Sequence, residues 1–81
     1  MKVTLSPSWE LTTEHAASSY GQPVLVDHAT GDAYGPGDVL RAYPSFGFLP
    51  AAAVVARLAK TAHLDAAQRA LVARFVALRP A

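Results

Sequence analysis

Cysteine is absent from the chain, which excludes both a disulfide framework and a thiolate metal site. Stability must come from packing, alone or combined with oligomerisation, and a reducing compartment suits this composition. Long apolar runs are missing too. The opening MKVTLSPSWELTTE carries one lysine and no apolar stretch before polar residues appear, so neither a signal peptide nor a membrane span is expected, and the cytoplasm is the expected location. No repeat, low-complexity tract or linker divides the sequence, and Pro and Gly fall between candidate elements, as in a single domain covering residues 1–81. There is no HxxxH or CxxC pair, no GxSxG turn and no GxGxxG loop, which removes the usual signatures of a zinc site, a hydrolytic nucleophile and a phosphate cradle. A non-catalytic protein without metal or cofactor is the expectation.

What is present begins with length. Eighty-one residues close around one small core, with roughly 60 to 65% of the unfolded surface buried. The net charge of +1 divides unevenly. Residues 1–50 hold Lys2 and Arg41 against Glu10, Glu14, Asp27, Asp32 and Asp38, while residues 51–81 hold Arg57, Lys60, Arg69, Arg74 and Arg79 against Asp65 alone. A basic helical end of this kind suits an acidic or nucleic-acid partner, or is the solvated face of amphipathic helices.

Local patterns predict an α+β fold, a small antiparallel sheet packed by helices. KVTL at 2–5 alternates and is closed by Ser6 and Pro7, so it reads as a strand. A helix of about two turns is predicted from Thr12 or Thr13 to Gly21, docking through Ala16, Ala17 or Tyr20. PVLVD at 23–27 is a strand with Val24 and Val26 on one face and Leu25 on the other, returning at 33–35 through a turn in which Gly31 takes a positive φ. Asp38 is expected to cap a short helix over Val39, Leu40, Arg41 and Ala42, and Phe46 and Phe48 to plug the core.

A helical hairpin over 50–62 and 65–79 closes the chain. In the first helix Ala51, Val54, Val55, Leu58 and Ala62 share one arc opposite Arg57 and Lys60; in the second, DAAQ has the residue types of a capping box and Leu64, Ala67, Leu71, Phe75 and Leu78 form the core stripe. Ala66, Ala70, Ala73 and Ala77 make a separate ridge flanked by Arg69 and Arg74, both pointing away from the stripe. Such a ridge suits close approach of another backbone, from this chain or from a second copy in a homodimer.

Acid, imidazole and glycine crowd together once, in VLVDHATGDAYGPGD at 24–38. Counted from Asp27 as a calcium loop, the third, fifth, sixth and twelfth positions are Ala29, Gly31, Asp32 and Asp38, which lacks early oxygen ligands and misplaces the glycine. Pro36 removes an amide that a phosphate loop would use. The stretch therefore reads as a turn, a tight corner and a cap. Of the aromatics, Trp9 and Tyr34 are candidates for an exposed partner anchor, the rest being core material. The only strand tyrosine sits among acids, which does not suit single-strand nucleic-acid stacking.

The run SSYGQPVLVDHATGDAYGPGD, residues 18–38, resembles short phage- and prophage-encoded proteins of GC-rich bacteria, in which SSYG, PVLV and AYGP followed by an acid recur. The resemblance implies an interaction protein similar in size and lack of motifs to anti-CRISPR proteins, one that binds and blocks a host protein or protein–nucleic acid complex. It transfers no functional residue. Two surfaces are candidates: the basic face of Arg57, Lys60, Arg69 and Arg74, and the hairpin tip of Asp27, His28 and Asp32, whose charge mimics phosphate toward an arginine-lined groove. The alternative function is a small DNA-binding regulator using the two basic helices. Its second helix begins DAAQRAL and offers only Gln68 and Arg69 to base edges.

Overall fold

The period-2 pattern at the start of the chain becomes a strand, β1 (Lys2–Ser6), with Val3 and Leu5 buried and Lys2 and Thr4 exposed. The structure, a computed structural model, describes residues 1–41 and 47–78. Strands β2 (Trp9–Thr12), β3 (Val24–Asp27) and β4 (Ala33–Tyr34) follow, and each pairs antiparallel with its predecessor to give the order β1-β2-β3-β4. Val3, Leu11, Leu25 and Tyr34 fall in one cross-strand row. The first three are fully buried in the core, and Tyr34 packs against it. Val24 and Val26 lie on the other face in register with Thr12 and Glu10, as the strand parity predicts. Thr4 pairs with Glu10 and Ser6 with Trp9, so Leu5 is the extra residue of a bulge that bends β1 at the sheet edge.

A second, two-stranded ribbon pairs β5 (Val39–Arg41) with β6 (Phe48–Pro50). Helices α1 (Ala51–Ala59) and α2 (Ala66–Ala77) then pack on each other and on the inner face of the main sheet. Their arcs meet the sheet as the wheel requires: Ala51, Val54, Val55 and Leu58 from α1, and Leu71 and Phe75 from α2, join Val3, Leu5, Leu11 and Leu25 in one cluster. The first two amides of α1 donate to the carbonyls of Asp38 (2.8 Å) and Pro36 (3.1 Å), which fastens its start to the preceding corner.

The capping box is present in both halves. Asp65 Oδ1 accepts from the Gln68 amide at 2.8 Å, and Gln68 Oε1 accepts from the Asp65 amide at 3.0 Å. Asp65→Ala is expected to cost about 1 kcal/mol, read as a lowered thermal midpoint with the native circular dichroism retained.

Four expectations are corrected. No helix runs from Thr12 to Gly21: Trp9–Thr12 is a central strand, a single turn of 3-10 helix covers Ser19–Gly21, and Ala16, Ala17 and Tyr20 are exposed. The local cause is side-chain competition for the backbone. Thr12 Oγ1 accepts from the Glu14 amide (2.9 Å) and His15 Nδ1 from the Ala17 amide (3.0 Å), closing turns where a helix would propagate. Second, Val39–Arg41 is strand, exposed, buried, exposed in sequence, and Asp38 Oδ2 accepts from the Gly35 amide at 2.7 Å, so this aspartate closes a corner. Third, Phe48 is 71% exposed and plugs nothing, whereas Phe46 and Ala42 lie outside the described residues. Fourth, α1 begins after Pro50, which occupies the N-cap, and ends before residue 60; α2 ends at Ala77; and Ala67 is exposed.

Candidate functional site

The residues of the two candidate surfaces lie on different elements. At the hairpin between β3 and β4, Asp27 is a structural hub: its Oδ1 accepts from the Ala29 amide (2.9 Å), its carbonyl from the Gly31 amide (2.7 Å), and its amide donates to the Asp32 carbonyl (2.9 Å). Gly31 has φ +80°, with open space where a Cβ would stand, so a side chain there meets only backbone strain. Gly31→Val should therefore destabilise by about 1 to 2 kcal/mol, with Asp32→Ala doing far less in the same thermal melts. The reverse ranking would misplace the strain.

His28 is exposed, and its Nε2 lies 3.6 Å from Glu10 Oε1 on β2. Sequence reasoning missed Glu10 as a neighbour because β2 itself was missed. Behind the tip, burial raises the Tyr34 phenol above its usual value, and the carboxylates of Asp32, Asp27 and Asp38 push the same way. Trp9 stacks obliquely on this ring, centroids 6.5 Å apart, and both rings are half-buried. The folded state holds the phenolic proton more tightly than the unfolded chain. That contribution is complete below the unfolded value of about 10 and lost as pH climbs through the higher folded value. Tyr34→Phe is expected to flatten the alkaline fall in thermal stability.

The basic residues do not form one face. Arg69 and Arg74 are five positions apart on α2, roughly 140° around the helix axis. Arg74 Nη2 donates to the Gly21 carbonyl at 3.3 Å and borders a depression with Met1 and Thr13. Arg69 Nη1 donates to the Leu64 carbonyl at 2.6 Å and joins Lys60 on the opposite side. Arg57 is exposed in the last turn of α1 and stands apart from the grouping of Lys60 with Arg69.

Lys60 and Arg69 rim a groove of about 380 Å³ between α1 and α2. Its lining is otherwise apolar: Ala56 and Ala59 from α1, Leu64 from the connector, and Val72, Ala73 and Val76 from α2. Among the described residues neither cation lies within ion-pair distance of a carboxylate; the two ion pairs are Met1 with Glu14 and Glu10 with His28. Sequence reasoning found the two cations and Ala73 but not the groove. A signal was available, since Val72 and Val76 belong neither to the core stripe nor to the alanine ridge; both pack half-buried against the edge of the core and widen the apolar arc of α2. The ridge itself, Ala66, Ala70, Ala73 and Ala77, is exposed along its length.

A separate cleft of about 440 Å³ lies where Pro23, Val24 and Leu78 meet the corner Gly35–Asp38. Its acid, Asp38, is already bonded to the Gly35 amide. Among the described residues no three His, Asp or Glu side chains gather as metal ligands would, and no helix is long and apolar enough to cross a membrane. Comparison with family models, with curated proteins and with solved structures finds no match for this chain.

Proposed function

We propose that the protein is a non-catalytic interaction domain that docks a protein partner in the groove between α1 and α2, working as a phage-type blocker of a host protein or protein–nucleic acid complex in the cytoplasm. The observation that carries this reading is the apolar groove with Lys60 and Arg69 at its rim. Apolar lining is what a protein surface is desolvated against, whereas duplex DNA offers phosphates and polar base edges. The blocking role rests on the resemblance of residues 18–38 to phage-encoded proteins.

The capping geometry weighs against the DNA-binding alternative. Of the two side chains that α2 would offer to base edges, Gln68 has its Oε1 engaged in the capping box. The next residues in that turn are Ala66, Ala67 and Ala70.

A photo-crosslinking residue placed at Ala73, in the groove, or at Ser8, beside the acidic hairpin, tests the reading in a bacterial lysate. One discrete protein adduct from position 73, lost on Arg69→Glu, is the expected result. An adduct from position 8 alone would move the working surface to Asp27, His28 and Asp32. Duplex binding that falls steeply as salt rises would return the regulator.

A further inference from the structure

Resting on the reading of this groove as a docking site, we infer that its occupant is a short amphipathic helix of the partner, about two to three turns long, carrying carboxylates at one end. The backbone decides between helix and strand. Both walls are helices, whose amides and carbonyls are spent internally except at their ends, so the groove presents no sheet edge to an extended peptide. An extended chain laid on Leu64, Val72 and Val76 would leave its own N–H and C=O groups against apolar side chains, whereas a helix brings its backbone already satisfied.

Size agrees. The lining on α2 runs from Arg69 to Val76, about 10 Å along the axis, or two turns. Alanines at 56, 59 and 73 keep the groove shallow, which lets a third helix approach at the usual interhelical distance with its apolar residues between those of α1 and α2.

Charge sets the end. Lys60 follows the last turn of α1 and Arg69 lies in the first turns of α2, so both stand near the connector, and at the far end, marked by Val76, no charged side chain lines the groove among the described residues. The Leu64 carbonyl holds the Arg69 guanidinium in place, and neither cation has a carboxylate partner among the described residues. A carboxylate on the occupant supplies that missing partner.

The test uses the full chain and three synthetic peptides of helical pattern, each with apolar residues at i, i+3, i+4 and i+7. The first carries glutamates at one end, the second lysines in their place, and the third the glutamates with a central proline. Binding is read by amide chemical-shift titration. The glutamate peptide is expected to shift groove residues and to bind at least about tenfold tighter than the lysine peptide, with the proline peptide failing to bind. Lys60→Gln, and separately Lys60→Gln with Arg69→Gln, should erase the glutamate preference while leaving weak apolar binding. The single variant keeps the Arg69–Leu64 bond intact, so loss of fold cannot stand in for loss of preference.

Equal binding of the glutamate and lysine peptides, or binding by the proline peptide, overturns the inference. If position 73 crosslinks to a partner while no peptide shifts the groove, the helical occupant is wrong and the interaction domain stands. If neither position crosslinks and no peptide binds, both fail.

Discussion

Phe75→Ala is expected to remove roughly 3 to 5 kcal/mol, a large fraction of the stability of a domain of this size. The ring is fully buried and is the largest side chain so placed among the described residues. It also sits where α2 joins the cluster formed by Val3, Leu11 and Leu25 from the sheet and Val54, Val55 and Leu58 from α1. Truncation to a methyl group forfeits the transfer free energy of the ring and opens a cavity that these β-branched and leucine neighbours can only partly fill. Urea titration followed by tryptophan fluorescence measures the loss, since Trp9 packs against the same cluster. Phe75→Leu should cost much less, because most of the volume is kept. A loss below about 1 kcal/mol for the alanine variant would mean that the α2 stripe is not docked as described.

The second large effect concerns binding. Replacing Lys60 and Arg69 together by glutamate is expected to weaken the groove's partner by about 2 to 4 kcal/mol, or roughly thirty- to a thousandfold, because attraction is lost and like charge is placed opposite the partner's carboxylates. Both side chains are exposed, so folding should change by no more than about 0.5 kcal/mol beyond the loss of the Arg69–Leu64 hydrogen bond. Arg74→Glu serves as the control. It reverses one cation on the helix that carries Arg69, half the charge change of the pair, but on the side that reaches Gly21, and it should leave groove affinity within a few-fold. Calorimetric titration of the two variants against the crosslinked partner separates them. Equal losses per reversed charge would mean a long-range charge effect without a localised site.

The parts of the fold that sequence could show are those where local pattern and tertiary context agree. β1, β3 and the return at β4 followed from alternation and from a glycine that the structure puts at positive φ. The helical hairpin followed from 3.6-residue periodicity and a capping box. The misses share a cause. WELT and VLR each adjoin the residue types of a helix start, Thr12 or Thr13 in the one case and Asp38 in the other, and each is held instead by pairing with other strands: Leu11 with Val3 and Leu25, Leu40 with Leu49. Thr and His beyond β2 carry the residue types of a helix start, and the same side chains close turns when the preceding residues are already committed to a sheet.

The candidate site was half legible for a related reason. Single residues of the right charge can be read along one helix, but a groove belongs to two, and only the packing of α1 on α2 brings Lys60 to Arg69 while sending Arg74 elsewhere.

Every strand pairing in the structure joins neighbours in the chain: β1 with β2, β2 with β3, β3 with β4, and β5 with β6. On a ribosome the meander is therefore topologically complete before either helix has been made. Loop closure costs little over such short separations, but the row Val3, Leu11, Leu25 then faces water until residues 51–78 emerge to cover it. The nascent chain passes through a stage in which a small sheet displays an uncovered apolar side, and a ribosome stalled within α1 would hold it there. The face that the C-terminal helices turn inward thus ends the period of vulnerability during synthesis.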